Sequence, residues 1–210
     1  MTSGTNRAQR SSLGIWLLAV LVTTAVAAEP QATADDTPSE PWGVNQLMSE
    51  LGRVQHAKAR FVERKYLKVL KTPLETTGTL EYDAPDRLVK RTLEPKPETM
   101  TVAGERLVIE SQARSRSRTL RLGDYPVLGA FVESLRATLN GDLAALERFY
   151  RVTLEGGPQR WQLTLTPRDP KMSALIESIL IGGGHGRVGR VEVRETRGDR
   201  SVMTVLEDVP

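Results

Sequence analysis

The chain contains no cysteine. That excludes disulfides as a source of stability, thiolate nucleophiles and thiolate metal ligands. It also excludes N-terminal lipidation of a cysteine after a leader segment. Histidine is nearly absent: His56 and His185 are the two imidazoles in 210 residues, far apart and without metal-ligand spacing. His56 falls at the end of a helical pattern, where a cation suits the helix dipole. His185 follows Gly182-Gly183-Gly184, a run that lacks the Gly-Lys-Ser/Thr ending of a phosphate loop and reads as an inter-strand loop. No hydroxyl or carboxylate is set beside a base in a nucleophilic pattern, and Glu81 and Asp83 flank Tyr82 as a solvated strand face. The expectation is a protein without catalytic function, bound metal or cofactor. Beyond the first segment, no apolar run is long enough to span a bilayer.

What is present begins with that first segment. Arg7 and Arg10 precede an apolar run from Leu13 to Val22, and Ala25-Val26-Ala27-Ala28 supplies small residues for cleavage. This order reads as a secretory signal peptide over residues 1–28, and the run is short for a membrane anchor. The formal charge of +3 falls to +1 when Arg7 and Arg10 leave with the leader, so neither charge nor compartment points to nucleic acid. Residues 29–41, rich in Pro, Ala, Thr, Asp and Glu, read as a flexible tether with little to bury. Residues 42–210 remain, enough for one domain with a real core.

Leu47, Met48, Leu51 and Val54 recur at helical spacing and predict a helix from about Val44 to about Ala57. The period then changes to two. Strands are expected at Phe61–Leu67, Gly78–Asp83, Asp86–Leu93, Glu98–Val102 and Arg106–Glu110, with a hairpin turn at Ala103-Gly104-Glu105. Arg114, Arg116 and Arg118 alternate with serines, as on a strand edge guarded by charge or on a patch for acidic groups. Asp124-Tyr125-Pro126 is a stop. Val127, Leu128, Phe131, Leu135 and Leu139 predict a second helix, Asn140-Gly141-Asp142 breaks it, and Leu143–Phe149 predicts a third. Strands follow at Tyr150–Leu154, Trp161–Thr166, Arg187–Arg194 and Ser201–Glu207, with turns at Gly156-Gly157-Pro158 and Arg197-Gly198-Asp199. Periodicity leaves Lys171–Ile181 open between a short helix and an extended excursion. The class is α+β, with a strongly curved antiparallel sheet and helices laid across its concave side.

Several short segments in fixed order resemble the LolA family of periplasmic lipoprotein carriers. They are Arg60-Phe61-Val62-Glu63-Arg64-Lys65, Gly78-Thr79-Leu80-Glu81-Tyr82-Asp83-Ala84-Pro85-Asp86-Arg87-Leu88, Glu94-Pro95, Val102-Ala103-Gly104-Glu105-Arg106-Leu107 and Tyr125-Pro126-Val127-Leu128. The resemblance implies an unclosed β-barrel under a helical lid. It also implies a hydrophobic cavity that takes acylated lipoproteins from an inner-membrane ABC transporter and passes them to an outer-membrane receptor. The expected cavity lining is Leu80, Tyr82, Leu88, Met100, Val102, Leu128, Phe131, Trp161, Leu163 and Leu165. In the best-known members an Arg before the turn Pro holds the lid shut. Here that position is Ala84, and Arg87 is the nearest substitute latch. The protein is expected to act as a monomer. Alternatives are a carrier of another acylated envelope lipid or pigment precursor, an RseB-like sensor domain, and a lipid-processing enzyme.

The leader assignment has a direct check. N-terminal sequencing of the exported protein should start near Ala28, and an intact Met1 on membrane-bound protein would refute it.

Overall fold

The computed structural model describes residues 42–111 and 116–207. The leader, the tether and Arg114 lie outside the described residues.

Helix α1 covers Val44–Leu51 and buries Leu47, Met48 and Leu51. It is shorter than its apolar spacing suggests because Gly52 caps it, with the Gly52 N–H donating to Met48 O at 2.9 Å. His56 therefore opens a strand instead of closing a helix, and its Nδ1 lies 3.0 Å from Asp83 Oδ1 on an exposed face. Glycine is required at position 52 on steric grounds: a Cβ there would meet the Asn140 carbonyl oxygen at 2.7 Å.

Among the described residues, eleven strands form one antiparallel sheet. β1 (His56–Tyr66), β2 (Leu74–Asp83), β3 (Arg87–Glu94), β4 (Glu98–Ala103), β5 (Arg106–Ser111) and β6 (Arg116–Arg121) run as a meander. A 3-10 turn at Leu122–Asp124 leads into α2 (Pro126–Leu139) and α3 (Leu143–Phe149). A second meander follows: β7 (Tyr150–Gly157), β8 (Arg160–Pro167), β9 (Ile176–Gly184), β10 (Arg187–Glu195) and β11 (Arg200–Glu207), with α4 (Pro170–Ser173) between β8 and β9. The open segment 171–181 thus resolves into both readings, a helical turn and then a strand. The glycines 182–184 are the end of β9 and not a loop; the turn is His185-Gly186.

The two meanders join where the first strand pairs with the last, from Ala59↔Glu207 to Tyr66↔Arg200. The strand order is β6-β5-β4-β3-β2-β1-β11-β10-β9-β8-β7, so the sheet stays open at β6 and β7. Those edge strands are consecutive in sequence, and α2 and α3 connect them. Arg116 and Arg118 are exposed on the β6 edge. Gly104 and Gly198 sit in the hairpin turns the sequence marks, with φ of 52° and 86°, a region that favours glycine; Gly156, at φ 93°, lies inside β7 opposite Trp161, and the turn after it is Pro158-Gln159.

Alternation sorts the side chains. Ala57, Ala59, Phe61 and Glu63 of β1 are buried while Lys58, Arg60 and Arg64 are exposed. Leu80 and Tyr82 face the same interior from β2. This face is apolar toward the β2–β3 turn and polar toward the other end. Glu63 and Lys90 are 3 % and 4 % exposed, and Lys90 Nζ donates to Glu63 Oε2 at 2.5 Å. Ser201 Oγ donates to Glu63 Oε1 at 2.5 Å, and Lys90 Nζ sits 5.0 Å from the Phe61 ring centroid. Burial alone would raise the Glu63 pKa. The Lys90 and Lys65 ammoniums and the hydrogen bonds from Lys90 and Ser201 together outweigh it and hold the carboxyl below its ordinary value. Burial also pushes the neighbouring Lys65 down to about 8.

Glu63→Gln leaves the Lys90 charge buried without its partner, which costs roughly 3–5 kcal/mol. Urea titration at pH 7 should read that loss. A carboxyl with a depressed folded-state pKa contributes stability above its unfolded value, near 4.5, and loses it as pH falls through the folded value. The gap between wild type and variant should therefore narrow below pH 4.5. Equal midpoints at pH 7 would show that the pair contributes nothing net.

Candidate functional site

The segment that bridges the open edges forms the candidate site. Pro126 sits in the first turn of α2, where its fixed φ suits a helix start and no N–H is lost. Leu128, Phe131, Val132, Leu135 and Leu139 form its buried face. Arg136 continues the Leu128–Val132 row one turn further and is also buried, at 7 % exposure. Its guanidinium Nη2 donates to Gly104 O at 2.5 Å and Asp86 O at 3.1 Å, which ties α2 to the β4–β5 and β2–β3 turns.

A second tie lies one turn further. Asn140 Nδ2 donates to Pro85 O at 2.9 Å, and the Tyr82 hydroxyl donates to Asn140 Oδ1 at 2.5 Å. Burial pushes the Tyr82 phenol up to about 12, so it stays a donor at any ordinary pH. The corner after Asn140 packs on α1: Gly141 has φ 69°, and a Cβ there would meet Met48 O at 2.1 Å. α3 starts at once, with Asp142 Oδ1 accepting from the Ala145 N–H at 2.8 Å.

The other end of α2 is different. An apolar cavity of about 300 Å³ opens beside it, lined by Tyr125, Pro126, Val127, Leu128 and Phe131 on one side and Leu175 and Ile176 on the other. Asp124 is the one charged residue at its edge among the described residues. Tyr125 and Leu175 stand exposed on the rim at 42 % and 38 %. The size lies at the lower end of small-molecule sites. A wider depression of about 480 Å³ crosses β7–β10 beside Trp161, with Glu155, Arg160, Gln162 and Arg190 around Gly182, Gly183 and Gly189. Its charged rim does not suit a hydrocarbon chain.

The structure gathers the expected lining residues into one core. Leu80, Tyr82, Leu88, Val102, Phe131, Trp161, Leu163 and Leu165 are at most 2 % exposed, Leu128 is 6 % exposed, and Met100 is partly buried against them. Of the ten, Leu128 and Phe131 border the apolar cavity and Trp161 borders the wider depression. Arg87, expected as the substitute latch, pairs instead with Asp83 across the β2–β3 turn. Asp83 is the nearer acceptor because Arg87 and Asp83 face each other as a register pair. The contact to the helix comes from the opposite side, through Arg136 and Asn140. Arg136 carried a signal in the sequence, a charged residue in line with an apolar row; its acceptors are backbone carbonyls and carried none. Leu175 and Ile176 were not anticipated, because periodicity left their segment unassigned. Among the described residues, no group of three His, Asp or Glu side chains is placed to hold a metal ion, and no helix is long and apolar enough to cross a membrane.

Arg136→Met combined with Asn140→Ala should loosen α2. Hydrogen bonds from a charged donor contribute about 1.5–3 kcal/mol, so α2 amide hydrogen exchange should speed up by roughly ten- to a hundredfold. Arg87→Ala should leave that exchange unchanged. The reverse pattern would return the latch to Arg87.

Comparison with known proteins supplies the family. A family model described as outer membrane lipoprotein carrier protein LolA-like matches residues 36–207. No curated protein matches the chain significantly. Among solved structures, the LolA superfamily protein NE2245 from Nitrosomonas europaea is similar at 13 % identity and a TM-score of 0.42, covering 81 % of this chain and 96 % of its own. A DUF1329 family protein from Desulfovibrio piger is similar at 12 % identity and a TM-score of 0.43, with 79 % and 91 % covered. The MucA/MucB complex of Pseudomonas aeruginosa is similar at 13 % identity and a TM-score of 0.46, with 78 % and 56 % covered. The family match runs from before α1 to the end of β11, across the whole sheet and both bridging helices, and the chain belongs to the LolA-like outer membrane lipoprotein carrier family.

Proposed function

We propose that the exported protein is a periplasmic carrier that shields the acyl chains of lipoproteins, or of a related envelope lipid, between its sheet and α2 during transfer from inner to outer membrane. The observation that carries this reading is the asymmetry of α2. Its C-terminal end is held by directed hydrogen bonds from Arg136 and Asn140. Its N-terminal end borders an apolar cavity with apolar side chains exposed at the rim. A helix anchored at one end and loosely packed at the other can lift from the loose end.

Acyl burial supplies the driving force, about 0.8 kcal/mol per CH₂. The cavity of about 300 Å³ admits part of a chain. Further chains need α2 to rise from the core it shares with Leu80, Tyr82, Leu88, Met100, Val102, Leu163 and Leu165. Such a core must pack well enough to fold and yet be exchangeable for hydrocarbon, which is a purely apolar trade with little directional cost. No catalytic group is needed. An inner-membrane ABC transporter as donor and an outer-membrane receptor as acceptor follow from the family by analogy.

A fluorescent fatty-acyl probe should bind the exported protein. Leu128→Glu and Phe131→Glu should weaken it about tenfold or more, since each places a charge against hydrocarbon. Because both residues are buried, the rim variants Tyr125→Glu and Leu175→Glu give a control less prone to unfolding, and they should slow probe entry. Unchanged binding and entry in folded versions of all four would place the acyl chain elsewhere. Mass spectrometry of material co-purified from the periplasm would identify the cargo.

A further inference from the structure

Among the described residues, seven large apolar side chains are exposed, and four of them cluster at one end of the sheet: Val69 at 88 %, Leu93 at 55 %, Leu74 at 48 % and Leu70 at 42 %. Scattered exposed apolar residues are ordinary, whereas a cluster marks an interaction surface. The cluster has a structural basis. β1 pairs with β11 as far as Tyr66↔Arg200 and with β2 as far as Lys65↔Leu74. Residues 67–73 project past both last pairs. Leu93 reaches the same end from β3, at the register shift where Thr77 faces Glu94.

The projecting loop is held in shape. The Leu70 N–H donates to Leu67 O at 2.9 Å, which closes a turn with Lys68 and Val69 at its tip. The Lys68 N–H donates to Asp199 Oδ1 at 2.8 Å, and the Arg200 guanidinium lies 4.4 Å from the Tyr66 ring centroid. The loop is thus braced on the β10–β11 turn while Val69 and Leu70 face solvent.

Its charge selects the partner. Leu67-Lys68-Val69-Leu70-Lys71-Thr72-Pro73 carries two cations and no carboxylate. Lys96 stands on the β3–β4 turn, Arg197 on the β10–β11 turn, and Arg200 opens β11 at this end. Of the carboxylates nearby, Glu75 is paired with Arg64 at 2.8 Å and Asp199 accepts from the loop backbone; Glu94, Glu98, Glu110 and Glu195 also stand toward this end, outside the loop itself. Aliphatic side chains at a tip flanked by lysines match the boundary between acyl chains and anionic headgroups.

We infer that the 67–73 loop docks this protein on an anionic lipid bilayer, with Val69 and Leu70 entering the acyl boundary and Lys68 and Lys71 meeting lipid phosphates. Docking stands without the carrier reading; its use for cargo transfer rests on that reading. The brace links the two. Asp199 holds the loop, and Thr196, in the same turn, donates its N–H to Leu175 O at 3.1 Å and its hydroxyl to Ser173 O at 2.7 Å. Leu175 is a wall of the apolar cavity. The turn that braces the loop is thus hydrogen-bonded to the segment that walls the cavity.

The test is flotation of the exported protein with vesicles of phosphatidylcholine alone or mixed equally with phosphatidylglycerol. The wild type should float with the mixed vesicles and much less with phosphatidylcholine alone. Val69→Asp with Leu70→Asp should reduce flotation by at least about tenfold, the effect of losing two membrane-buried aliphatic side chains. Lys71→Glu should reduce it on the mixed vesicles only. All of these positions are exposed, so thermal melts should not move. Wild type that stays off both vesicle types overturns the proposal, and that includes the case of a loop serving a protein partner. Equal flotation of wild type and the double variant overturns it as well. Acyl-probe binding is read on the same samples. Flotation without probe binding would sink the carrier reading and leave docking intact; probe binding without flotation would do the opposite.

Discussion

The pairing of the first strand with the last is the constraint on which the rest of this molecule depends. Each meander alone, β1 to β6 or β7 to β11, would be a sheet with two open edges. Joining β1 to β11 removes one edge from each and leaves the remaining two, β6 and β7, on strands that are neighbours in sequence. The chain between them must then cross from one edge to the other. It does so as helix, and a helix with one apolar stripe buries that stripe on the nearest apolar surface, the inner face of the sheet. The lid is thus a consequence of where the sheet was left open.

What holds the lid is chemically distinct from what it covers. Under α2 the contacts are apolar and replaceable. At its C-terminal end they are directed: a guanidinium and an amide on the helix reach three turn carbonyls, of Asp86, Gly104 and Pro85. In the best-known relatives the donor is expected on the turn. Here the turn offers Ala84, and the donors stand on the helix. Either polarity satisfies groups that would otherwise be buried without partners. The glycines at 52 and 141 complete the anchor by letting two backbones approach more closely than a Cβ allows.

The inner face is divided. Ala57, Ala59, Phe61, Leu80, Tyr82 and Leu88 make it apolar near the anchored end, and Glu63, Lys90 and Ser201 make it charged further along. A buried ion pair contributes little net stability compared with well-packed apolar residues. It does forbid hydrocarbon from passing, because any chain crossing it would strip charged groups of their partners. Glu63 and Lys90 thereby bound the apolar part of the interior.

The sequence alone determined the class and the local elements. Alternation from Phe61 and at Leu80 and Tyr82 specifies half-buried strands, helical spacing from Val127 to Leu139 specifies a one-sided helix, and glycines at 104 and 198 specify tight turns; all of these are encoded between neighbours, whereas Ala57 reads as the end of a helix and, like Ala59, belongs to β1. Where local signals conflicted, reading failed: the apolar spacing after Leu51 outran Gly52, and Ser178-Ile179-Leu180-Ile181 followed by three glycines lacks the alternation of a strand although β9 is one. The leader and tether are compositional signals that lie outside the described residues. Only the tertiary structure decided that β1 meets β11, that Arg87 turns to Asp83, that Arg136 reaches carbonyls 32 and 50 residues away, and that Leu175 walls the cavity beside Tyr125. Arg87 had a carboxylate within one turn and took it; the other three share one physical reason. Backbone carbonyls and apolar surfaces look alike at every position in a sequence, and which of them become neighbours is settled only when the two meanders join through β1 and β11 and the helices cross their open edges.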